Sequence, residues 1–401
     1  MDETRRIARA ADAAGEPEAL PRYLLLFVLI FLGWGVLSPF LPAVLTLQGA
    51  TPVEVGLLLG MGTALRLLAM PAAGAVADRT GTPREVLALA LLGAALSVLC
   101  YGLAGGGAML LLVGVAHALA TAPVAPLPDA LAVRAAAEPG RRRLDYGVVR
   151  GAGAAAFIAA STAAGWLVAA AGSPLVVIWL NAGCFALAAG CALLLPRPAA
   201  SGQERVPGSA SMRMLLRLPA FRRLLLVSGL IQGSHAFYAG FAVLGWQAVG
   251  IGPGSIGLLW SLSVAAEVGV FFLLGRRLLA RLGVGGTCTL AAAAGILRWS
   301  AMALDIPVVL LVAMQALHGL TFAAQHMAAM AMLPRLAPDH LGATAQALLA
   351  SLGTGLFTAL LLLASGFLYD RVGLGGFWVM AALCALAIPL ALQLEPATPD
   401  R

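Results

Sequence analysis

Arg66, Glu267 and Arg298 stand well inside long apolar stretches, His117 and His318 lie near the middle of two others, and Asp129 lies toward the end of one. An ionisable group in that setting is costly, so by default it marks a functional site. Glu267 is the only carboxylate placed deep in such a stretch. A carboxyl out of water is drawn to its neutral form, and a guanidinium beside it draws it back to the anion. A group held between those pulls can take up and release a proton. Arg66 or Arg298 offers a planar fork of donors that matches a carboxylate. The chemistry on offer is proton exchange at Glu267 and capture of an organic anion at one of the arginines. Plain alternatives stand beside it: a static Glu267–Arg298 pair, backbone bonds for Arg66, packing for His117, and a bridge or gate from Asp129 to Arg150 or Arg134.

The elements that hold these residues are read from hydropathy. Of the 401 residues, 61% are hydrophobic and 11% charged, and mean hydropathy is +0.94. A soluble domain carries about 25% charged residues, so lipid must cover much of this chain. Apolar runs span 22–46, 53–77, 85–104, 108–134, 146–171, 174–195, 220–248, 254–278, 286–304, 307–334, 341–368 and 374–394. Each approaches or exceeds the roughly 20 residues that a spanning helix needs. The expected fold is an all-α membrane protein of twelve transmembrane helices.

Orientation follows from the basic residues, all 25 of which are Arg. With the N-terminus inside, 22 of the 25 fall in tails and loops on the cytoplasmic side, and only Arg371 falls in an external loop. The positive-inside rule then puts both termini in the cytoplasm. Residues 1–21 read as a cytoplasmic tail and 395–401 as a second. The Pro-, Gly-, Ser- and Arg-rich stretch 196–219 reads as a cytoplasmic linker between bundles 22–195 and 220–394. The halves resemble each other at an offset of 201 residues: Gly56 on Gly257, Arg66 on Glu267, Gly74 on Gly275, His117 on His318, Gly165 on Gly366 and Gly172 on Gly373. Repeats of six helices with a site between them are a transporter design. Trp34, His117, Gln232, His235, Tyr238, Trp260 and Gln315 are expected to line that site, where an aromatic wall with few polar groups suits an aromatic solute.

The segment Gly74-Ala-Val-Ala-Asp78-Arg79-Thr-Gly81 resembles the loop signature of the major facilitator superfamily. The glycines are expected to allow close packing and a tight turn, and Asp78 and Arg79 to pair at the helix end. Thr82-Pro83-Arg84 replaces the basic pair that often follows, and the repeat copy at Gly275–Gly283 lacks the Asp. Longer segments resemble the phenylpropionate permease group of that superfamily: PLPDALAVR (126–134), DYGVVRGAG (145–153), QGSHAFYAGF (232–241), LHGLTFAAQHMAAM (317–330) and GFLYDRVGLGGFWVM (366–380). The resemblance implies two pseudo-symmetric six-helix bundles, a bacterial inner-membrane location, and proton-driven import of a small aromatic acid such as 3-phenylpropionate. The group is similar to the lactose permeases, in which a Glu, an Arg and a His on helices 8, 9 and 10 couple proton and solute. Glu267, Arg298 and His318 stand on those helices here. The lactose type adds a carboxylate one turn beyond the His, where this chain has Thr321. Glu267 would then carry the proton, with His318 as its helper.

There is no Walker A sequence, no His-Glu-x-x-His pattern and no Gly-x-Ser-x-Gly turn, so no cofactor, metal or enzymatic activity is expected. The Arg residues lie between apolar runs rather than on an aromatic-bearing soluble face, which points away from nucleic acid. The five Cys lie singly in apolar runs and read as filler. Expected partners are a small organic acid, protons and the lipid bilayer, with the chain working as a monomer. Competing readings are a sugar or nucleoside symporter, an efflux antiporter for drugs or metabolites, an intramembrane enzyme lacking any visible catalytic set, and a sensor that binds without flux.

Overall fold

Out of water, a backbone can satisfy its polar groups only within its own segment, so each apolar run winds into a helix. The computed structural model describes residues 19–137, 144–196, 209–338 and 341–394. Among the described residues, 10 continuous helical stretches are long and apolar enough to cross a membrane, and two of them, 50 residues each, hold two crossings. The resulting spans are α1 (Ala19–Leu47), α2 (Pro52–Thr80), α3 (Pro83–Tyr101), α4 (Gly107–Ala136), α5 (Tyr146–Ala171) and α6 (Val176–Leu193) in the first half. The second half holds α7 (Pro219–Ala248), α8 (253–282), α9 (284–302), α10 (Val308–Leu336), α11 (342–372) and α12 (Phe377–Ala391).

Local chemistry sets several ends. Thr51 and Glu54 form a capping box at the start of α2, with Pro52 in its first turn. Gly81, at φ 65°, ends α2 in the left-handed region. Gly283 (φ 65°, ψ −171°) separates α8 from α9. Gly172 and Gly373, paired by the 201-residue offset, both have positive φ at the ends of α5 and α11.

The structure corrects some boundaries. α1 begins at Ala19, inside the expected tail; residues 1–18 and 395–401 lie outside the described residues. Within the expected linker, Ser209–Arg217 is a short helix against α7 and the start of α11, with Leu215 buried there; residues 197–208 lie outside the described residues. α11 continues through Asp370 and Arg371, which hydropathy had placed in a loop. Charged residues break a hydropathy run without breaking a helix whose backbone bonds persist.

The two halves pack alike. In the first, α1 packs on α5 and α6, α3 on α6, and α4 on α2 and α3; in the second, α7 packs on α11 and α12, α9 on α12, and α10 on α8 and α9. The halves meet along α2–α11, α5–α8 and α1–α7. Two of these seams are glycine-on-glycine crossings. A Cβ at Gly56 would lie 2.7 Å from Gly366 Cα, and one at Gly257 would lie 3.0 Å from Gly165 Cα. The offset that maps Gly56 on Gly257 also maps Gly165 on Gly366, so the two crossings are counterparts about a pseudo-two-fold axis. Small residues let helix backbones approach this closely.

With twelve crossings, both termini lie on one face of the molecule, and all four crossing glycines lie near the opposite face. One buried core runs through the first half and into the far-face end of the second, including Tyr238, Phe241, Trp246, Trp260, Trp299 and Phe377. The terminal-face end of the second half (Phe221, Leu224, Val284, Leu333) has a core of its own. The halves are therefore joined at the far face and part toward the terminal face, where the cleft between them opens. Among the described residues, π-helical turns occur only in the second half: Val270–Leu274, Gly319–Ala324 and Leu349–Gly355. Such turns loosen the regular ladder and gather at functional positions.

Candidate functional site

The second half carries a continuous buried polar network. Arg298, wholly buried in α9, donates from Nη1 to His318 Nδ1 at 2.9 Å and from Nη2 to Gln315 Oε1 at 3.0 Å, with Thr321 Oγ1 at 3.4 Å from Nη1. Its guanidinium carbon lies 4.8 Å over the Tyr238 ring and 4.4 Å over the Trp299 ring. Cation–π contact and three acceptors hold this charge in place of a carboxylate partner. A guanidinium only donates, so His318 Nδ1 accepts and the proton of the neutral ring sits on Nε2. That Nε2 faces Glu267 Oε2 at 3.8 Å. Glu267 keeps 29% of its side chain exposed, whereas His318 keeps 11%. The alternative of a direct Glu267–Arg298 pair is not formed; His318 stands between the two.

His235 extends the network. Its Nδ1 lies 3.2 and 3.1 Å from the Ile231 and Gln232 carbonyls and so carries the proton. Nε2 then accepts from Thr321 Oγ1 at 2.9 Å. Thr321, standing where the lactose type has its carboxylate, joins His235 to Arg298. Tyr238 stacks on Trp260 with centroids 4.8 Å apart and 17° between planes. The Tyr238 hydroxyl is buried with no hydrogen-bond partner among the described residues, a costly arrangement that marks a place for a polar group from elsewhere.

In the first half, His117 Nδ1 lies 3.0 Å from Ser97 Oγ, and Tyr101 meets the ring edge-on. Arg66 donates to Thr63 Oγ1 at 3.1 Å. Nearer the terminal face, Asp129 Oδ1 accepts from the Tyr146 hydroxyl at 3.0 Å. Arg150 lies 4.6 Å over the Phe31 ring and lines a small cavity of about 40 Å³ with Asp129 and Trp34. Asp129 is thus held by a phenol contact, with Arg150 beside it across the cavity. Trp34 meets Phe31 edge-on at 5.1 Å.

Other expectations are corrected. Gln315 is fully buried and committed to Arg298, and His235 is bonded inside the bundle, so neither lines the open cleft in this state. Gln232 is buried in α7, and Tyr238 and Trp260, 4% and 8% exposed, are likewise packed inside the bundle in this state. At the signature segment, a Cβ at Gly74 would meet nothing within 4 Å, so that glycine mediates no close packing here. Asp78 and Arg79 are exposed and form no ion pair among the described residues. The physical reason is that the halves have parted at this face, leaving the end of α2 bare. Gly81 does make the expected tight turn. Sequence reasoning missed Ser97 and Tyr146. Ser97 was within reach, because the 201-residue offset maps it on Arg298; Tyr146 depends on a contact between helices that no local pattern carries.

Comparison with known proteins follows the same lines. The profile described as the MFS_1 like family matches residues 20–380. A probable 3-phenylpropionic acid transporter of Escherichia coli (strain K12) is 32% identical over 370 residues, covering 91% of this chain and 95% of the relative. A maltose permease of Geobacillus stearothermophilus is 30% identical over 387 residues, covering 92% of this chain and 93% of the relative. Among solved structures, a mutant form of the nucleoside transporter NupG superposes with a TM-score of 0.82 at 17% identity, over 94% of this chain and 100% of that one. A bacterial homologue of the lysosomal transporter Spinster, inward-facing and unoccupied, superposes with a TM-score of 0.72 at 14% identity, over 94% and 96% of the two chains. Likeness at such low identity shows the fold alone.

Proposed function

The chain belongs to the MFS_1 like family, a family of multi-pass secondary transporters, and on that premise we propose that it is a proton-coupled symporter importing a small aromatic acid of the 3-phenylpropionate kind. In this reading both termini face the cytoplasm, which the Arg distribution supports. The observation that carries the reading is Glu267: a carboxylate at mid-depth, partly exposed, linked through His318 to a wholly buried Arg298. In alternating access, Glu267 takes a proton when the cleft opens to the outside and gives it up when the cleft opens inward. His318 presents Nε2–H to the carboxylate, and Arg298 holds His318 in that tautomer. The Tyr238–Trp260 stack supplies an aromatic wall beside the network. Asp129, Tyr146 and Arg150 form the gate toward the terminal face.

The relative named as a 3-phenylpropionic acid transporter supports the acid as cargo, and the relative named as a maltose permease supports a second reading, proton-coupled uptake of a sugar. Radiolabelled uptake into proteoliposomes with an imposed pH gradient separates them. The acid reading expects gradient-driven accumulation of 3-phenylpropionate that unlabelled maltose does not compete. Gradient-driven accumulation of maltose with no uptake of the acid would replace it with the sugar reading.

A further inference from the structure

The 201-residue offset relates three buried side chains in each half. Arg66 maps on Glu267, Ser97 on Arg298 and His117 on His318. The geometry repeats. Ser97 Oγ lies 3.0 Å from His117 Nδ1, and Arg298 Nη1 lies 2.9 Å from His318 Nδ1, each pair 20 residues apart. The chemistry is inverted. Ser97 offers His117 a neutral hydroxyl, itself 3.1 Å from the Ala94 carbonyl, where Arg298 offers His318 a guanidinium. One frame thus carries a carboxylate next to His318 in the second half and a guanidinium in the neighbourhood of His117 in the first.

The two arginines differ in what they have left to give. Arg298 is 0% exposed, with Gln315, His318 and Thr321 around its fork, aromatic rings over its plane and, among the described residues, only its buried Nε–H left without a partner. Arg66 is half-buried, its side-chain acceptor is Thr63 Oγ1, and no carboxylate lies within 4.0 Å of it among the described residues. Thr63 donates to the Leu59 carbonyl at 2.8 Å and turns its lone pair to Arg66, which fixes the fork from behind. The helix face places Arg66 at the seam. Leu58 and Gly62 of α2 pack on Gly114 and Ala118 of α4, while Leu59 packs on Gly240 of α7 in the other half. Arg66 follows one turn on, between those two faces, at the edge of the cleft. A guanidinium in a membrane interior without a counter-ion is strongly unfavourable unless an anion joins it.

We propose that Arg66, oriented by Thr63, is the docking point for the carboxylate of the transported solute, and that Arg298 is not. This rests on the reading of the chain as an organic-acid transporter and assigns its two charges to opposite halves: anion on the first, proton on the second. A bound monocarboxylate supplies the counter-charge that Arg66 lacks and bridges the cleft toward the Glu267 side. Loading the anion and protonating Glu267 then both relieve an uncompensated buried charge.

The test is equilibrium binding of radiolabelled 3-phenylpropionate and of its neutral analogue 3-phenylpropanamide to the purified full-length protein. Wild type is expected to prefer the acid. Arg66→Gln is expected to weaken acid binding by about 10- to 100-fold, the usual range for a lost charge-assisted pair, while leaving amide binding, and hence the folded site, unchanged. Arg66→Lys is expected to keep part of the preference. An acid preference that survives Arg66→Gln overturns the assignment; if it collapses instead in Arg298→Gln, the organic-acid reading stands and only the placement of the anion is wrong. A wild type with no preference for acid over amide overturns the carboxylate site and the organic-acid reading together.

Discussion

The crossing of α5 and α8 is tight enough for one methyl group to act on the whole conformational equilibrium. A Cβ at Gly257 would stand 2.6 Å from the Ser161 carbonyl oxygen and 3.0 Å from Gly165 Cα. Ordinary contact between such atoms is about 3.5–4.0 Å, so Gly257→Ala asks the helices to separate by about 1 Å. The obstacle is backbone, which cannot rotate aside as a side chain would. Overpacking of this kind costs about 1–3 kcal/mol. The cost falls on the state described here, with the far face closed, and is relieved when the halves part there. The helix-propensity gain of Ala over Gly is present in both states and cancels. The equilibrium should therefore move toward the far-face-open state by about 5- to 150-fold. Spin labels at Leu47 and Val249, exposed sites at the far-face ends of α1 and α7, report the change as a distance distribution, after the free native cysteines are replaced. Gly74→Ala, where a Cβ meets nothing within 4 Å, is the control. The variant should lengthen the distances and the control should not. A folded Gly257→Ala protein with the wild-type distribution would refute the claim that these glycine crossings close the far face.

Gly56→Ala, the pseudo-symmetric counterpart, should shift the same distribution in the same direction, whereas a shift from only one of the two would show that the seams are not equivalent. Thr51→Ala removes the capping box of α2 and should lower stability by about 1 kcal/mol, read as a lower thermal midpoint with transport otherwise intact. Arg298→Ala strips donors from His318 and Gln315, each a buried acceptor worth about 1–3 kcal/mol when orphaned; the midpoint should fall markedly, and a wild-type midpoint would contradict the network. Tyr238→Phe deletes a buried hydroxyl that has no partner among the described residues, so the midpoint should hold or rise while solute affinity falls; a lower midpoint would mean that the hydroxyl is bonded within the protein.

Much of the architecture is legible in the sequence because one constraint dominates it: a backbone out of water must be helical, and hydropathy reports where. The misplaced ends show the limit. Asp78, Arg79, Asp370 and Arg371 end the apolar runs, yet α2 continues to its Gly81 cap and α11 to Val372. The repeat offset picked out Gly56, Gly165, Gly257 and Gly366, but their crosswise meeting is a property of the two-fold packing. Glu267, Arg298 and His318 were legible through their helices. Their order in space was not, because side-chain reach decides that His318 stands between the other two. Gln315 was expected to line the cleft and instead serves Arg298, since a buried guanidinium needs acceptors more than the cleft needs an amide. The π-turns of α8, α10 and α11 left no mark in composition.

The measurement that reaches the central claim most directly compares two modes of transport in one variant. In proteoliposomes, Glu267→Gln and wild type are assayed for uptake driven by an imposed pH gradient and for exchange of labelled against unlabelled solute at equal pH. Exchange needs the solute-loaded carrier to reorient but no net proton movement. With Glu267 as the proton carrier, the variant loses gradient-driven accumulation and keeps exchange. A variant that accumulates solute against the gradient as wild type does would show that the proton travels by another group, and the coupling network described here would have to be abandoned.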